Sequence, residues 1–377
     1  MAERTQAILE ASAFSRLIEA LVRRGYNVVG PVRRDGAIVY SEIESAADLP
    51  AGWSDEQDAG RYRLKERGDG AIFGFALGPQ SWKKYFHPAD VLLWSAEREN
   101  GGFRILNPPA APRRPFALLG VRACELAALR IQDRVLLGNP HTDPIYQARR
   151  DGAFVVAVQC TGAAATCFCA SMGTGPRVES GFDLVLTELL AGGRHRFLVE
   201  TGSQRGTEVL SELACAPATG EDRETAQKAV EEAAHRQVRN IDTTDIRDLL
   251  YQSFDHPEWD RVAERCLACA NCTMVCPTCF CTTVEDLTDI TGDHAERRRR
   301  WDSCFTLSFS YIHGGSVRAS GKSRYRQWMT HKLASWIDQF GSSGCVGCGR
   351  CITWCPAGID IAQEAAAIRE ANNHGNS

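Results

Sequence analysis

The sequence lacks the features of a membrane or exported protein. No apolar run approaches the roughly 18 residues that a membrane helix needs, and the longest, Phe154–Val158, is typical of a buried strand. The first residues, Met-Ala-Glu-Arg-Thr-Gln, lack the apolar core and the small-residue cleavage site of a secretory signal. We therefore expect a cytoplasmic protein without membrane insertion.

An excess of positive charge and the common nucleotide motifs are also missing. The 43 Lys and Arg against 47 Asp and Glu leave a net charge of -4, whereas nucleic-acid binders carry a basic excess. The short basic run at 297–300 is more typical of a segment that balances the charge of nearby anionic cofactors or forms ion pairs than of a nucleic-acid patch. No Gly-x-Gly-x-x-Gly follows a predicted strand, and neither a Walker A motif nor a nucleophile elbow is present. We expect no nucleic-acid partner, no catalytic residue and no cofactor site beyond the cysteines.

Cysteine, in contrast, is abundant and unevenly placed. The 377 residues include 16 cysteines, most of them between positions 266 and 355. Thiols in the cytoplasm stay reduced, so a cysteine-rich chain of this size more often binds metal than forms disulfides. The uneven placement predicts a metal-binding second half.

Two cysteine runs repeat one spacing without a change. They are Cys266-x2-Cys269-x2-Cys272-x3-Cys276-Pro277 and Cys345-x2-Cys348-x2-Cys351-x3-Cys355-Pro356. In two-cluster ferredoxins the first three cysteines of such a run hold one 4Fe-4S cluster, and the fourth ligates the other cluster. The spacing therefore predicts two 4Fe-4S clusters, the first held by Cys266, Cys269, Cys272 and Cys355, the second by Cys345, Cys348, Cys351 and Cys276. Structural zinc is the alternative, although zinc sites usually present cysteine pairs or cysteine with histidine.

Four cysteines of the first half are enough for a third cluster. Cys160 ends a predicted strand, Cys167 and Cys169 follow it in a Thr-Cys-Phe-Cys loop, and Cys124 supplies a fourth thiol. Cysteine is also an ordinary small core residue, so a third 4Fe-4S cluster and simple packing both remain open. The remaining cysteines are one ligand short of a cluster or isolated, and we expect them to pack: Cys215, Cys279, Cys281 and Cys304.

The order of predicted elements indicates the α+β class. Apolar residues at positions 8–22 recur at helical spacing, and alternating segments at 26–32 and 38–43 flank an Arg-Arg-Asp-Gly turn. Further strands are predicted at 118–121, 154–159 and 184–189, and helices near 125–135 and 207–214. We predict an N-terminal mixed α/β domain over residues 1–220, a connecting helix in 221–244, and a mainly helical ferredoxin-like domain with the two 4Fe-4S clusters over 245–377.

Several motifs outside the runs carry a resemblance to a known family. They are GVRAC at 120–124, TCFC at 166–169, FDHP at 254–257, RWDSC at 300–304, RYRQ at 324–327 and His331-Lys332. With the two runs, they make the chain resemble the family that holds the beta, iron–sulfur subunit of cytoplasmic NiFe sulfhydrogenases and its counterpart in anaerobic sulfite reductase. The resemblance covers most of the chain after the first hundred or so residues.

The resemblance implies an iron–sulfur electron-transfer subunit of an oxidoreductase complex, without a catalytic centre of its own. Its implied partners are the large and small subunits of a hydrogenase together with a flavin- and NAD(P)-binding subunit. The alternatives are the corresponding subunit of an anaerobic sulfite or sulfur reductase, and a stand-alone iron–sulfur oxidoreductase. The ligands that the resemblance implies are the eight cysteines of the two runs.

Overall fold

The computed structural model describes residues 5–107, 112–138 and 140–375. Its strands are β1 (Gln6–Glu10), β2 (Asn27–Arg34), β3 (Ala37–Glu42), β4 (Trp53–Asp58), β5 (Arg61–Glu66), β6 (Asp90–Glu99), β7 (Gly102–Leu106), β8 (Phe116–Val121), β9 (Phe154–Val158), β10 (Leu184–Ala191), β11 (Arg194–Thr201), β12 (Ala216–Pro217), β13 (Thr282–Thr288), β14 (His294–Trp301), β15 (Tyr311–Ile312) and β16 (Gly315–Ser316). Its α-helices are α1 (Phe14–Arg23), α2 (Lys83–Phe86), α3 (Ala123–Leu136), α4 (Pro144–Arg150), α5 (Gln204–Ser211), α6 (Gly220–His235), α7 (Ile246–Gln252), α8 (Glu258–Arg265), α9 (Asn271–Met274), α10 (Gly321–Thr330), α11 (Trp336–Phe340), α12 (Arg350–Thr353) and α13 (Ile361–Gly375). A π-helical turn, His331–Ser335, joins α10 to α11.

The first half is built on an eight-stranded sheet in the order β12-β1-β11-β10-β9-β8-β2-β3. The four strands β10, β9, β8 and β2 run parallel. Strand β9, with the sequence FVVAV, is buried at every residue, as expected of a parallel strand covered on both faces. Helices α1 and α5 cover one face of the sheet, and α3 and α4 cover the other. The loops after β8 and β9 therefore leave the sheet at one edge, where open α/β sheets usually carry their sites.

Aromatic and aliphatic side chains from several helices form the core of the second half. Trp259 of α8, Tyr325 and Trp328 of α10, and Ile361 of α13 belong to one buried cluster, against which half-buried cysteines of both runs pack. The core of these helices thus forms one side of the cysteine-rich region.

A four-stranded sheet in the order β13-β14-β6-β7 joins the two halves. Strand β14 pairs antiparallel with β6, although about 200 positions separate them. The ion pairs expected of the basic run are confirmed on β14: Arg297 with Asp286, Arg298 with Asp90 and Glu296, Arg299 with Asp143, and Arg300 with Asp90 and Glu285. This sheet was not predicted, because its strands come from distant parts of the chain.

Most predicted elements of the first half are confirmed, with one correction. The strands predicted around the Arg-Arg-Asp-Gly turn correspond to β2 and β3, and those predicted further along correspond to β8, β9 and β10. The helix predicted from residue 8 is wrong at its start, because residues 6–10 form β1, paired with β11, and α1 begins only at Phe14. Helix α6 lies in the segment predicted to connect the two domains, and the domain boundaries themselves stay a prediction.

Candidate metal centre

The two cysteine runs share a backbone conformation as well as a spacing. In the first run Ala268 and Ala270 have left-handed φ angles of 51° and 67°, and at the matching places of the second run Gly347 and Gly349 have 62° and 75°. These turns direct amides to sulfur: the amide of Ala268 donates to Cys266 Sγ at 3.4 Å, and that of Gly347 donates to Cys345 Sγ at 3.5 Å. A left-handed alanine is uncommon, so the loop geometry prevails over local preference.

One cavity is bordered by all four predicted ligands of the first cluster. Cys266, Cys269, Cys272 and Cys355 line it, together with Cys351. The rest of its wall is largely apolar and includes Phe305, Tyr325, Trp328, Ile359 and Ile361. Cys269 is the exposed member, whereas Cys266, Cys272 and Cys355 are half-buried. Two parts of the chain almost ninety positions apart therefore contribute thiols to one site.

A second cavity is bordered by the four predicted ligands of the second cluster, Cys276, Cys345, Cys348 and Cys351. Burial raises the pKa of the Cys345 thiol to about 12, so without a bound metal this thiol keeps its proton. Cys351 lines both cavities, which makes them neighbours. Within the described ranges no three His, Cys, Asp or Glu side chains are arranged to hold a single metal ion.

A buried lysine that the sequence did not single out as a site residue stands in the wall of the second cavity. Lys332 lies on the π-helical turn, is 5% exposed, and donates to Cys276 Sγ at 3.2 Å and to Thr278 Oγ1 at 3.1 Å. Lys83, also buried, donates to the Cys279 carbonyl at 2.9 Å. No spacing rule links these lysines to the cysteines, because the fold alone brings them there.

The four cysteines of the first half lie in two neighbouring places at the sheet edge. Cys124 is in the first turn of α3 after β8, and Cys160 follows β9. Cys124 and Cys169 belong to one buried cluster, against which Cys348 of the second run packs. Burial raises the pKa of Cys124 well above its usual value, and the thiols of Cys169 and Cys348 raise it further.

The loop that carries Cys167 and Cys169 lies directly on the second run. The amide of Phe168 donates to the Gly347 carbonyl at 2.9 Å, and a Cβ on Gly347 would come within 2.6 Å of the Phe168 backbone. Only glycine fits such an approach, so the two loops are in backbone contact. The loop with Cys167 and Cys169 is therefore brought to the edge of the second cavity, which Phe168 lines.

The other cysteines take different places. Cys279 hydrogen-bonds Cys276, which lowers the pKa of the Cys276 thiol. Cys304 packs against the core of the second half, and Cys215 packs against the core of the first. For Cys304 and Cys215, these positions are compatible with the predicted packing role.

A buried ion pair fastens the second run to the first half. Arg350, between Gly349 and Cys351, donates to Glu125 of α3 at 2.7 Å, and the two side chains are 0% and 1% exposed. Arg350 also donates to the carbonyls of Gly78 and Gln80, and the Tyr40 hydroxyl donates to Glu125 at 2.8 Å. The second run is thereby held against α3, which carries Cys124.

Comparisons with known proteins agree with this geometry. The model of a 4Fe-4S dicluster domain matches residues 265–359, a span that contains both cysteine runs. Sulfhydrogenase 2 subunit beta of Pyrococcus furiosus is 36% identical over 258 residues, which cover 68% of this chain and 74% of that protein. No solved structure matches the chain. Among the described residues, the helices are all too short or too polar for a membrane crossing. The chain belongs to the family of sulfhydrogenase beta subunits.

Proposed function

We propose that this chain is the iron–sulfur electron-transfer subunit of a hydrogenase complex and that it relays electrons through two 4Fe-4S clusters. The observation that carries this proposal is the arrangement of the thiols: four predicted ligands border each of two cavities, and Cys351 borders both. Cysteine thiolates in this number and spacing are ligands of 4Fe-4S clusters. When bound, each cluster accepts and gives one electron.

The ligands of the first cluster are Cys266, Cys269, Cys272 and Cys355, and those of the second are Cys345, Cys348, Cys351 and Cys276. The amide-to-sulfur hydrogen bonds at Cys266 and Cys345 support this assignment, because such bonds compensate negative charge on sulfur. Burial raises the pKa values of Cys266 and Cys345, so a bound metal would have to replace the protons of these thiols.

A third 4Fe-4S cluster held by Cys124, Cys160, Cys167 and Cys169 extends the proposal. The contact of the Cys167–Cys169 loop with Gly347 supports it, as does the buried cluster that Cys124 and Cys169 share and against which Cys348 packs. A third cluster there would continue the relay from the second half into the first. It would be distinguished by an iron content of about twelve atoms per chain rather than about eight.

The partners that we propose are the large and small subunits of a hydrogenase and a protein that binds flavin and NAD(P), in the cytoplasm. The name of the Pyrococcus relative, a beta subunit of a sulfhydrogenase, supports an assembly of this kind. A hydride donor gives two electrons at once, so a flavin partner is needed to pass them singly to clusters. All 16 cysteines lie within the described residues, and their lack of disulfides is compatible with a reducing compartment.

Anaerobic purification of the full chain with its co-purifying proteins tests the proposal. We expect the chain, once separated from these partners, to hold about eight iron atoms and as many acid-labile sulfides, or about twelve of each with the third cluster. Cys345→Ser should lower the iron content by about four atoms, whereas the matched control Cys215→Ser should leave it unchanged. Zinc without sulfide would overturn the assignment. A nickel-containing partner would support the hydrogenase, and a sirohaem-containing partner would instead indicate a sulfite reductase.

A further inference from the structure

Lys332 is fixed by contacts on both sides of the second cavity. Its ammonium donates to Cys276 Sγ and to the Thr278 hydroxyl, and that hydroxyl donates in turn to the Gly344 carbonyl at 2.7 Å. Its own carbonyl accepts the amide of Gly344 at 2.7 Å. Lys332 thus connects the fourth cysteine of the first run to the residue that precedes Cys345. The wide π-helical turn supplies this position, and such turns are frequent at functional sites.

The charge of this lysine has no carboxylate partner within the parts of the chain that the structure describes. Buried Arg350 pairs with Glu125 and Arg239 pairs with Asp360, but no Asp or Glu forms an ion pair with Lys332 or with Lys83. An unpaired buried ammonium is costly unless some other negative group compensates it. The second cavity, with its four predicted thiolate ligands, is the anionic site next to Lys332.

The first cavity differs in this respect. Its wall contains apolar and aromatic side chains, and none of the described residues that line it is a lysine or an arginine. The two cysteine runs have equal spacing, so the difference between the two sites comes from the residues that the fold adds around them. An effect of the Lys332 charge should therefore act on the second site more than on the first.

We propose that Lys332 is a positioning residue that raises the reduction potential of the second 4Fe-4S cluster. This inference rests on the proposed function, because it assumes a cluster bound by Cys276, Cys345, Cys348 and Cys351. Reduction adds one electron, and therefore one negative charge, to the bound cluster, and no bond is broken. An ammonium held at 3.2 Å from a ligand sulfur, in a site of low dielectric constant, stabilises that added charge.

The test is a redox titration of the anaerobically purified full chain with its partners, followed by electron paramagnetic resonance. Lys332→Met removes the charge and keeps the length of the side chain. In this variant we expect the equilibrium constant for reduction of the second cluster to fall at least tenfold. For one electron this corresponds to a midpoint potential that is lower by ~59 mV or more. Cys269→Ser, which alters a ligand of the first cluster alone, identifies which signal belongs to which cluster.

Two variants and one control make the result decisive. Lys332→Arg keeps the charge and should return the potential toward that of the unmodified chain, whereas Lys332→Gln, which keeps hydrogen bonding without charge, should behave as Lys332→Met does. Lys322→Met removes a half-buried lysine that pairs with the exposed Asp260 of α8, and should change neither potential. If Lys332→Met loses iron, the comparison of Lys332→Gln with Lys332→Arg decides.

The outcomes separate this inference from the proposed function. The neutral variants could keep their full iron and sulfide and show unchanged potentials, or equal shifts at both clusters. Either result would overturn the role of Lys332 and leave the proposed function standing. An unmodified chain that holds clearly fewer than about eight iron atoms would overturn the proposed function itself.

Discussion

The buried Arg350–Glu125 pair offers a sharp prediction about how the two halves of the protein are held together. Arg350→Met keeps the bulk of the side chain but removes the ion pair with Glu125 and both hydrogen bonds to the carbonyls of Gly78 and Gln80. Among the residues that the structure describes, the Glu125 carboxylate, 1% exposed, would then keep the hydroxyl of Tyr40 as its only hydrogen-bond partner. The variant therefore leaves an almost uncompensated charge in the interior.

The expected loss follows from that charge. Breaking a buried pair by removal of one partner costs about 3–5 kcal/mol. For a chain of 377 residues that unfolds as one unit, the entropy of unfolding is about 0.8 kcal/mol per degree, so the melting temperature should fall by about 4–6 °C.

Differential scanning calorimetry of the anaerobic, iron-loaded protein measures this change. Arg236→Met is the matched control, because Arg236 forms an exposed pair with Glu232 that contributes at most about 1 kcal/mol. The double variant Arg350→Met with Glu125→Gln should recover at least half of the loss, since it no longer buries an unpaired charge. A single variant that melts within about 1 °C of the unmodified protein would refute this reasoning, as would a double variant with no recovery.

Three further predictions concern a loop contact, a buried histidine and the dependence of the second half on contacts with the first. Gly347→Ala should lower the iron content and reduce the melting temperature by at least ~2 °C, because Gly347 is left-handed and a Cβ would meet the Phe168 backbone at 2.6 Å. Burial lowers the pKa of His87 to about 3. Below about pH 6.5 the unfolded chain therefore binds a proton that the folded chain does not, and the free energy of unfolding decreases as the pH is lowered. Between about pH 7 and about pH 5 the unmodified protein should therefore lose about 2 kcal/mol more of its free energy of unfolding than His87→Phe does. Calorimetry should show this as a decrease in melting temperature that is larger by about 2 °C. Residues 245–377 expressed alone should show no cooperative melting by circular dichroism, because β14 would lose β6 and Arg350 would lose Glu125.

Each of these predictions has a result that contradicts it. Gly321→Ala, at a helical glycine with open space around its Cβ, is the control for the loop, and an equal effect of both substitutions would remove the argument from backbone contact. Parallel pH profiles for the unmodified protein and His87→Phe would show that His87 takes up its proton in the folded state as well. If residues 245–377 alone bound iron and melted cooperatively, the second half would fold without β6, which would contradict this prediction.

The sequence by itself determined which cysteines belong together as runs and where the central strands lie. Equal spacing in the two runs is a local property, and it led to matching left-handed turns at Ala268 and Ala270 and at Gly347 and Gly349. Strand β9 was predicted because five consecutive apolar residues need burial on both faces. The family motifs also lie in the sequence itself.

Only the tertiary structure decided what surrounds those runs. Three features depend on residues far apart in the chain: the pairing of β14 with β6, the strand in place of a helix at residues 6–10, and the placement of Lys332 and Arg350. Their partners are selected by packing and by the need to satisfy buried polar groups, which leave no periodic pattern in the sequence. The spacing of the cysteines predicts ligands, whereas the charge beside each ligand set is a property of the folded chain.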